Sequence, residues 1–251
     1  MRGLIELKKD KLKNIKLIVF DLDGILVPRG TKIKQNGNIT TLETKKIQKE
    51  QIKQIRKLND IGFKINISSG RGMYMLQNMF REILDFASLT YENGSATWFK
   101  GKIYQHINSY DYLKKIIFEL EKIKDSKIKG FEPKEFIITI HCKSRVKKIE
   151  EVASKYRNLY YIWNGEAYDI GVKNIQDKEH GLKEVIKLFK IKKKNVLVIG
   201  DNYNDKELLS EVGIAISADK TRLEGDYYVP LEGKSLPGEV VMRHILESLG
   251  K

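Results

Sequence analysis

The sequence predicts an α/β protein: a mostly parallel sheet as its larger part, with a smaller α+β unit inserted. Three features carry this expectation. Short apolar runs without polar alternation recur along the chain, the habit of strands buried on both faces of a parallel sheet. Between most of them lie segments with helical periodicity, and repeated strand–helix–strand order means a parallel sheet. Residues 95–175 break that rhythm with loosely alternating strands, amphipathic helices and a hairpin.

The first run, Leu17–Phe20, ends in Asp21, Asp23 and Gly24. A polar stretch follows, PRGTKIKQNGNITTLE (28–43), and reads as a flap or edge hairpin. Residues 44–60 have helical spacing. Phe63–Ile67 form the second run, which leads into Ser68, Ser69 and Gly70, with a helix over 72–84 behind it. DFASLTYENGS (85–95) supplies a third strand leading into Asn93 and Gly94. In the insertion, KGKIYQHI alternates loosely, SYDYLKKIIFELEKIK reads as an amphipathic helix, KEFIITIHC as a strand and SRVKKIEEVASKY as a second helix. LYYIWNGEAYDIGV reads as a hairpin turning on Asn164–Gly165. Helical spacing returns over 181–189, then Val196–Ile199 run into Gly200 and Asp201. A helix over 205–211 and short strands over 213–216 and 227–229 follow. The expected division is a core of residues 1–94 and 176–251 and an inserted unit of 95–175.

Composition bounds the function. The chain has 251 residues, 41% hydrophobic and 32% charged, which suits a folded domain of one large or two modest parts. No apolar run is long enough to span a membrane, and the basic N-terminus lacks the apolar core of a signal peptide. Cys142 is the single cysteine, so no intrachain disulfide forms and a cytoplasmic location is expected. The net charge of +14 comes from lysines scattered along nearly every helical segment. No nucleic-acid-binding motif accompanies them, so the expected attraction is for anionic metabolites, not nucleic acid or membrane.

Two carboxylates one residue apart repel each other at a buried strand end unless a cation, a proton or a positive side chain compensates. Each long apolar run ends in chemistry: Asp21 and Asp23, then Ser68, Ser69 and Gly70, then Asp201. In a parallel sheet these ends lie along one edge, where ligands bind. Oxygen-only ligands suit magnesium. Ser69, Gly70 and Arg71 opening a helix suit a phosphate, and Lys178 is the candidate lysine.

In this order the motifs resemble those of the haloacid dehalogenase superfamily of phosphohydrolases. D-x-D-G matches Asp21, Leu22, Asp23 and Gly24. Ser-Gly-Arg matches Ser69, Gly70 and Arg71. The helix-opening Lys matches Lys178. G-D-x-x-N-D matches Gly200, Asp201, Asn204 and Asp205, 23 residues beyond Lys178. The resemblance implies a Rossmann-like core with an α+β cap of the Cof type, a group that includes phosphoglycolate, sucrose-phosphate, mannosyl-phosphoglycerate and trehalose-phosphate phosphatases and phosphomannomutase. It implies Asp21 as nucleophile and Asp23 as acid and base. Lys178, Ser69 and Gly70 would hold the phosphoryl oxygens. Asp21, the Asp23 carbonyl, Asp201 and Asp205 would surround Mg2+. Asn93, Gly94 and Asn204 would lie on the substrate side. GFEPKEFIITIHCK resembles a segment of trehalose-phosphate phosphatases in which a Glu-x-Lys and a His face the sugar, which maps to Glu132, Lys134 and His141.

The implied activity is Mg2+-dependent hydrolysis of a small phosphorylated metabolite, a sugar phosphate or a phosphoglycolate-like acid. A phosphomutase and a non-enzymatic basic binding protein are the alternatives. Position 25 departs from the pattern with Ile in place of Thr, and the 48 residues from Asp21 to Ser69 exceed the usual gap. Trp98 and Trp163 read as core of the inserted unit, Arg71 as a brace for its loop and His180 as helix-start surface, and His106 and His244 carry no motif.

Overall fold

Leu17, Ile18, Val19 and Phe20 have no water-exposed surface, as their lack of alternation requires, because they lie in the middle of a sheet. The computed structural model describes residues 1–37, 39–173 and 178–251. Its strands in chain order are β1 Arg2–Gly3, β2 Leu17–Asp21, β3 Thr31–Asn36, β4 Ile39–Thr44, β5 Lys64–Ser68, β6 Ser88–Tyr91, β7 Ala96–Phe99 and β8 Lys102–Gln105, then β9 Ile128–Glu132, β10 Ile138–Cys142, β11 Leu159–Trp163, β12 Ala167–Val172, β13 Val196–Gly200, β14 Ile214–Ser217 and β15 Tyr227–Tyr228. The α-helices are α1 Lys9–Leu12, α2 Lys49–Asp60, α3 Met73–Met79, α4 Tyr110–Glu121, α5 Lys147–Ser154, α6 Glu179–Leu188, α7 Lys206–Leu209 and α8 Pro237–Ser248.

The chain divides into two units, residues 1–29, 46–106 and 177–251 in one, and 30–45 and 107–176 in the other. Among the described residues the larger unit holds one sheet in the order β1-β15-β14-β13-β2-β5-β6-β7-β8. It is parallel from β1 to β6, and β7 and β8 continue it antiparallel. From β2 the chain steps outward through β5 and β6, then returns to β13 on the other flank of β2 and steps outward through β14 and β15. The order reverses between β2 and β13, and a doubly wound sheet opens its ligand crevice at that switch point. One sheet face is sealed by Leu182 and Val185 of α6 and Leu208 and Leu209 of α7, packed with Leu17, Val19, Val196 and Val198. The resulting core is continuous with the strand ends that carry the acidic residues.

In the smaller unit β11-β12-β10-β9 form an antiparallel sheet. Leu113, Ile116 and Leu120 of α4 and Ile149 and Ala153 of α5 bury their apolar stripes against Ile138, Ile140, Tyr168 and Ile170. The hairpin expected in the polar 28–43 stretch forms as β3–β4. It lies beside β9: the Phe131 amide donates to Gln35 Oε1 at 3.0 Å, and Gly130 leaves room for Gln35, whose Cβ would be 2.9 Å from any Cβ there.

Several expectations are corrected. Residues 95–106, expected in the insertion, belong to the larger unit, because β7 turns straight back from β6 and pairs with it. Trp98 therefore sits in the large sheet, whereas Trp163 packs on the smaller core with its ring 4.8 Å from that of Tyr168. Residues 30–45, expected in the core, fall in the smaller unit. The boundary expected at residues 175 and 176 lies outside the described residues. Strand β9 and helix α8 were not anticipated. Their shared cause is that a strand's or helix's partner is set by non-local packing, to which local periodicity is blind.

α6 is held where it is by the absence of a side chain. A Cβ on Gly181 would lie 2.8 Å from the Gly94 Cα and 2.5 Å from Thr90 Cγ2. Helix propensity alone favours alanine over glycine by about 1 kcal/mol. Overpacking against backbone costs about 1–3 kcal/mol, so Gly181→Ala is expected to destabilise the protein. Urea denaturation checks the sign, and a gain in stability would refute this account of the helix–sheet contact.

Candidate active site

β2 delivers Asp21 at its carboxyl end and then turns sharply. The amides of Leu26 and Val27 return to the Leu22 carbonyl at 2.9 and 3.0 Å, and the Gly24 amide reaches the Val27 carbonyl at 2.7 Å. Gly24 has φ +85°, a left-handed backbone that glycine adopts without strain. A side chain there would also overlap Asp201 Oδ2. The turn is fastened from outside, since the Gly238 amide at the start of α8 donates to the Ile25 carbonyl at 3.0 Å. Ile25 itself is buried, so the hydroxyl expected at this position is exchanged for packing.

β13 ends in Gly200, and Asp201 follows it. The chain then turns so that the Asp201 and Asn202 amides both donate to Asp205 Oδ2 at 3.2 Å. Gly200 permits this fold-back, because its Cβ would meet the Asp205 carboxyl carbon at 2.9 Å. Asp205 Oδ1 accepts from Lys178 Nζ at 2.6 Å, and the same ammonium also donates to Asp21 Oδ1. Lys178, Asp21 and Asp205 are all buried. Lys178 stands at the N-terminal end of α6, so the packing of Gly181 on Gly94 sets the position of the ammonium.

The oxygens of Asp21, Asp201 and Asp205 lie within 4.8 Å of one another. Burial and the Asp205 charge push the Asp21 carboxyl well above the usual carboxylate range, with Lys178 pulling it back. Burial and Asp205 push Asp201 up to about 6 against the pull of Arg29. Burial alone would lower the Lys178 ammonium, but Asp205 and Asp21 outweigh it and raise it. Three carboxylates thus face two cations, and negative charge is left over. Asp201 is 1% exposed, and its Oδ1 is buried with no hydrogen-bond partner. An all-oxygen, carboxylate-rich set with one unserved oxygen fits a hard divalent cation.

Asp23 stands apart from that acidic set. Its carboxylate is gripped by Arg71, with Nε to Oδ2 at 2.9 Å and Nη2 to Oδ1 at 2.6 Å. Asp23 is expected at the cation through its carbonyl, and its side chain is held by Arg71 rather than by Lys178. Arg71, expected to brace its loop, also aims Asp23. Ser69 Oγ accepts from the Arg71 amide at 3.1 Å, and the Asn93 amide reaches the Ser69 carbonyl at 3.2 Å. Gly70 leaves room for Asn93, whose Oδ1 would be 2.9 Å from a Cβ on residue 70. Glu92 and Asn93 both take left-handed φ, 49° and 56°, to bring this loop against the Ser69–Arg71 turn. Gly94 closes that turn, its carbonyl 2.8 Å from His106 Nδ1. Asn204, in the turn between Asp201 and Asp205, has a buried Oδ1 without a hydrogen bond.

The smaller unit gathers Glu132, Lys134 and His141 as one cluster. His141 Nε2 is 2.9 Å from Glu132 Oε2, and Lys134 Nζ is 3.5 Å from Glu132 Oε1 and 2.7 Å from Thr139 Oγ1. Burial would raise the Glu132 carboxyl, but Lys134 and His141 hold it below its usual range. His244 Nε2 sits 2.8 Å from the Leu7 carbonyl, a structural contact away from the acidic set. Arg29 was missed from sequence, since a lone arginine five residues past a motif carries no signal.

The fold and this set define a doubly wound α/β enzyme with an acidic, cation-seeking centre beside a serine–glycine–arginine turn. A profile of the haloacid dehalogenase-like hydrolases matches residues 18–124 and 105–221, and the chain belongs to that family. Phosphoglycolate phosphatase 1 of Saccharolobus solfataricus is 26% identical over 205 residues, covering 81% of this chain and 82% of that protein. The crystal structure of a trehalose-6-phosphate phosphatase related protein overlays with a TM-score of 0.69 at 15% identity, over 94% of this chain and all of that one. A subclass IIB sugar phosphatase overlays with a TM-score of 0.62 at 18% identity, over 94% of this chain and 99% of that one. Both structures share the fold.

Lys178 is the cation that makes the burial of Asp21 and Asp205 tolerable. Removing one partner of a buried ion pair costs about 3–5 kcal/mol. Lys178→Met is expected to lose that much stability at neutral pH, and the deficit relative to the unmutated protein should shrink as carboxylates protonate at lower pH. Paired urea titrations at the two pH values check this, and an undiminished stability in Lys178→Met at neutral pH would contradict it.

Proposed function

We propose that this enzyme is a magnesium-dependent phosphatase that hydrolyses a small phosphorylated metabolite through an aspartyl-phosphate. The observation that carries the reading is the pairing of a buried, lysine-held Asp21 with a separately held Asp23. Two adjacent carboxylates in different environments suit two different tasks. Asp21 attacks phosphorus through a carboxylate oxygen. Its P–O bond forms as the bond to the leaving alkoxide breaks. Asp23, aimed by Arg71, donates a proton to that alkoxide and afterwards takes one from the water that cleaves the acyl phosphate. Lys178 Nζ and Ser69, with the backbone at Gly70, offset charge on the phosphoryl oxygens. Asp21, Asp201 and Asp205, with the Asp23 carbonyl, would hold Mg2+, which would supply positive charge to offset the dianionic phosphate and the attacking carboxylate.

Asn93, Gly94 and Asn204 are assigned to the substrate side of the centre. Glu132, Lys134 and His141 are assigned to substrate choice, with the smaller unit serving as a cap. A phosphoglycolate-like acid or a sugar phosphate is the substrate class, supported by the names of the relatives and by the net charge of +14. A cytoplasmic setting accords with the one free, buried thiol, Cys142. No helix among the described residues is long and apolar enough to cross a membrane.

Phosphate release from a panel of phosphorylated acids and sugars should require Mg2+ and stop in excess chelator; full turnover with chelator present would remove the metal from the reaction.

Asp21→Asn keeps size but has no nucleophilic carboxylate, so activity should fall to background. Asp23→Asn should retain attack on an aryl phosphate, whose leaving group needs little protonation, and then stall. Mass measurement after rapid quench should find phosphate covalently on Asp21 in that variant. A label on another residue would overturn these roles.

Lys134→Ala should reduce turnover of the best substrate in the panel by more than turnover of a generic aryl phosphate. Equal losses would assign Lys134 to the fold of the cap rather than to recognition.

A further inference from the structure

Arg29 lies at the same centre, and none of the roles above uses it. Its Nε donates to Asp201 Oδ2 at 2.8 Å, its Nη2 meets the same oxygen, and Nη2 also reaches the Asp201 carbonyl at 3.3 Å. One guanidinium therefore fixes both the side-chain rotation and the main-chain position of Asp201. All of its hydrogen bonds to the carboxylate go to Oδ2. The other oxygen, Oδ1, stays buried and without a partner.

The bed for this grip is built into the β2 turn. A Cβ on Gly24 would overlap Asp201 Oδ2 and lie 3.1 Å from Arg29 Nε. The bare Cα face of Gly24 is thus the surface against which the guanidinium and the carboxylate are pressed. Its left-handed φ of +85° makes a side chain there doubly unfavourable. Arg29 is also the last residue of the larger unit before the chain leaves for the smaller one at residue 30. The Arg29 side chain remains partly exposed at 38%, whereas that of Asp201 is 1% exposed.

We infer that Arg29 is a positioning residue for the cation site: its fork occupies Asp201 Oδ2 and the Asp201 carbonyl, and so presents Oδ1 to the metal. This rests on the reading of Asp21, Asp201 and Asp205 as a divalent cation centre. A planar fork does this and a point charge does not, because several donors must reach one oxygen and a neighbouring carbonyl at fixed angles. Groups that hold a ligand from behind typically contribute 10–100-fold in metal affinity.

As a bare positive charge Arg29 would act in the opposite direction. Removing a cation from beside a metal site should tighten Mg2+ binding. Mg2+ affinity therefore separates positioning of Asp201 from charge repulsion of the metal.

Mg2+ affinity, read by calorimetry and by the Mg2+-dependent rise in melting temperature, is compared in the unmutated protein and in the Asp201→Asn, Arg29→Ala and Arg29→Lys variants. Melting in chelator confirms that each variant is folded. Arg29→Ala and Arg29→Lys should both bind Mg2+ about 10-fold or more weakly. Equal or tighter binding in Arg29→Ala would overturn the inference and make Arg29 a competitor of the metal. Full affinity in Arg29→Lys would overturn it too, since charge alone would then suffice. If the unmutated protein and Asp201→Asn bind Mg2+ alike, the cation centre itself fails, and the role of Arg29 falls with it.

Discussion

Burying three carboxylates within 4.8 Å of one another is the constraint around which the larger unit is arranged. Isolated buried charge is costly, and like charges at this separation raise one another's proton affinity. The cost is met locally by Lys178 over Asp21 and Asp205, by Arg29 on Asp201, and by two backbone amides on Asp205. Each of these depends on a glycine that leaves room for it. Lys178 needs α6 seated on Gly94, Arg29 needs the bare face of Gly24, and the amides need the fold-back that Gly200 permits. The glycines of the motifs are there because polar side chains press against their Cα atoms.

The sheet topology makes this gathering possible. β2 lies between β13 and β5, so residues far apart in sequence, Asp21, Ser69 and Asp201, end on one edge. A parallel arrangement aligns carboxyl ends, and the reversal of strand order between β2 and β13 opens space there. Asp23 shares this edge, yet Arg71 separates it chemically from the acidic set. Two carboxylates that repel in an extended chain become two differently served groups, one with lysine and one with arginine.

The smaller unit is built on other terms. Its core is an ordinary contact of two amphipathic helices with an antiparallel sheet. Within it, the bonded cluster of Glu132, Lys134 and His141 is unusual, because ionic groups are buried with one another. It couples the three residues, so a change at one alters the setting of the other two.

The sequence by itself determined the class of fold, the chemistry of the strand ends and the family. Those properties are local or strictly ordered: unalternating apolar runs report a two-sided burial, and the motif residues follow at fixed spacings. Tertiary structure decided what local pattern cannot carry. It placed β7, β8 and Trp98 in the large sheet and the β3–β4 hairpin in the smaller unit, because strand pairing is a contact between segments. It gave Asp23 to Arg71 and Asp201 to Arg29, pairings 48 and 172 residues apart. It also left Asp201 Oδ1 unserved while Oδ2 is doubly held. Which oxygen of a carboxylate is free depends on side-chain packing in three dimensions, and no spacing along a chain encodes it.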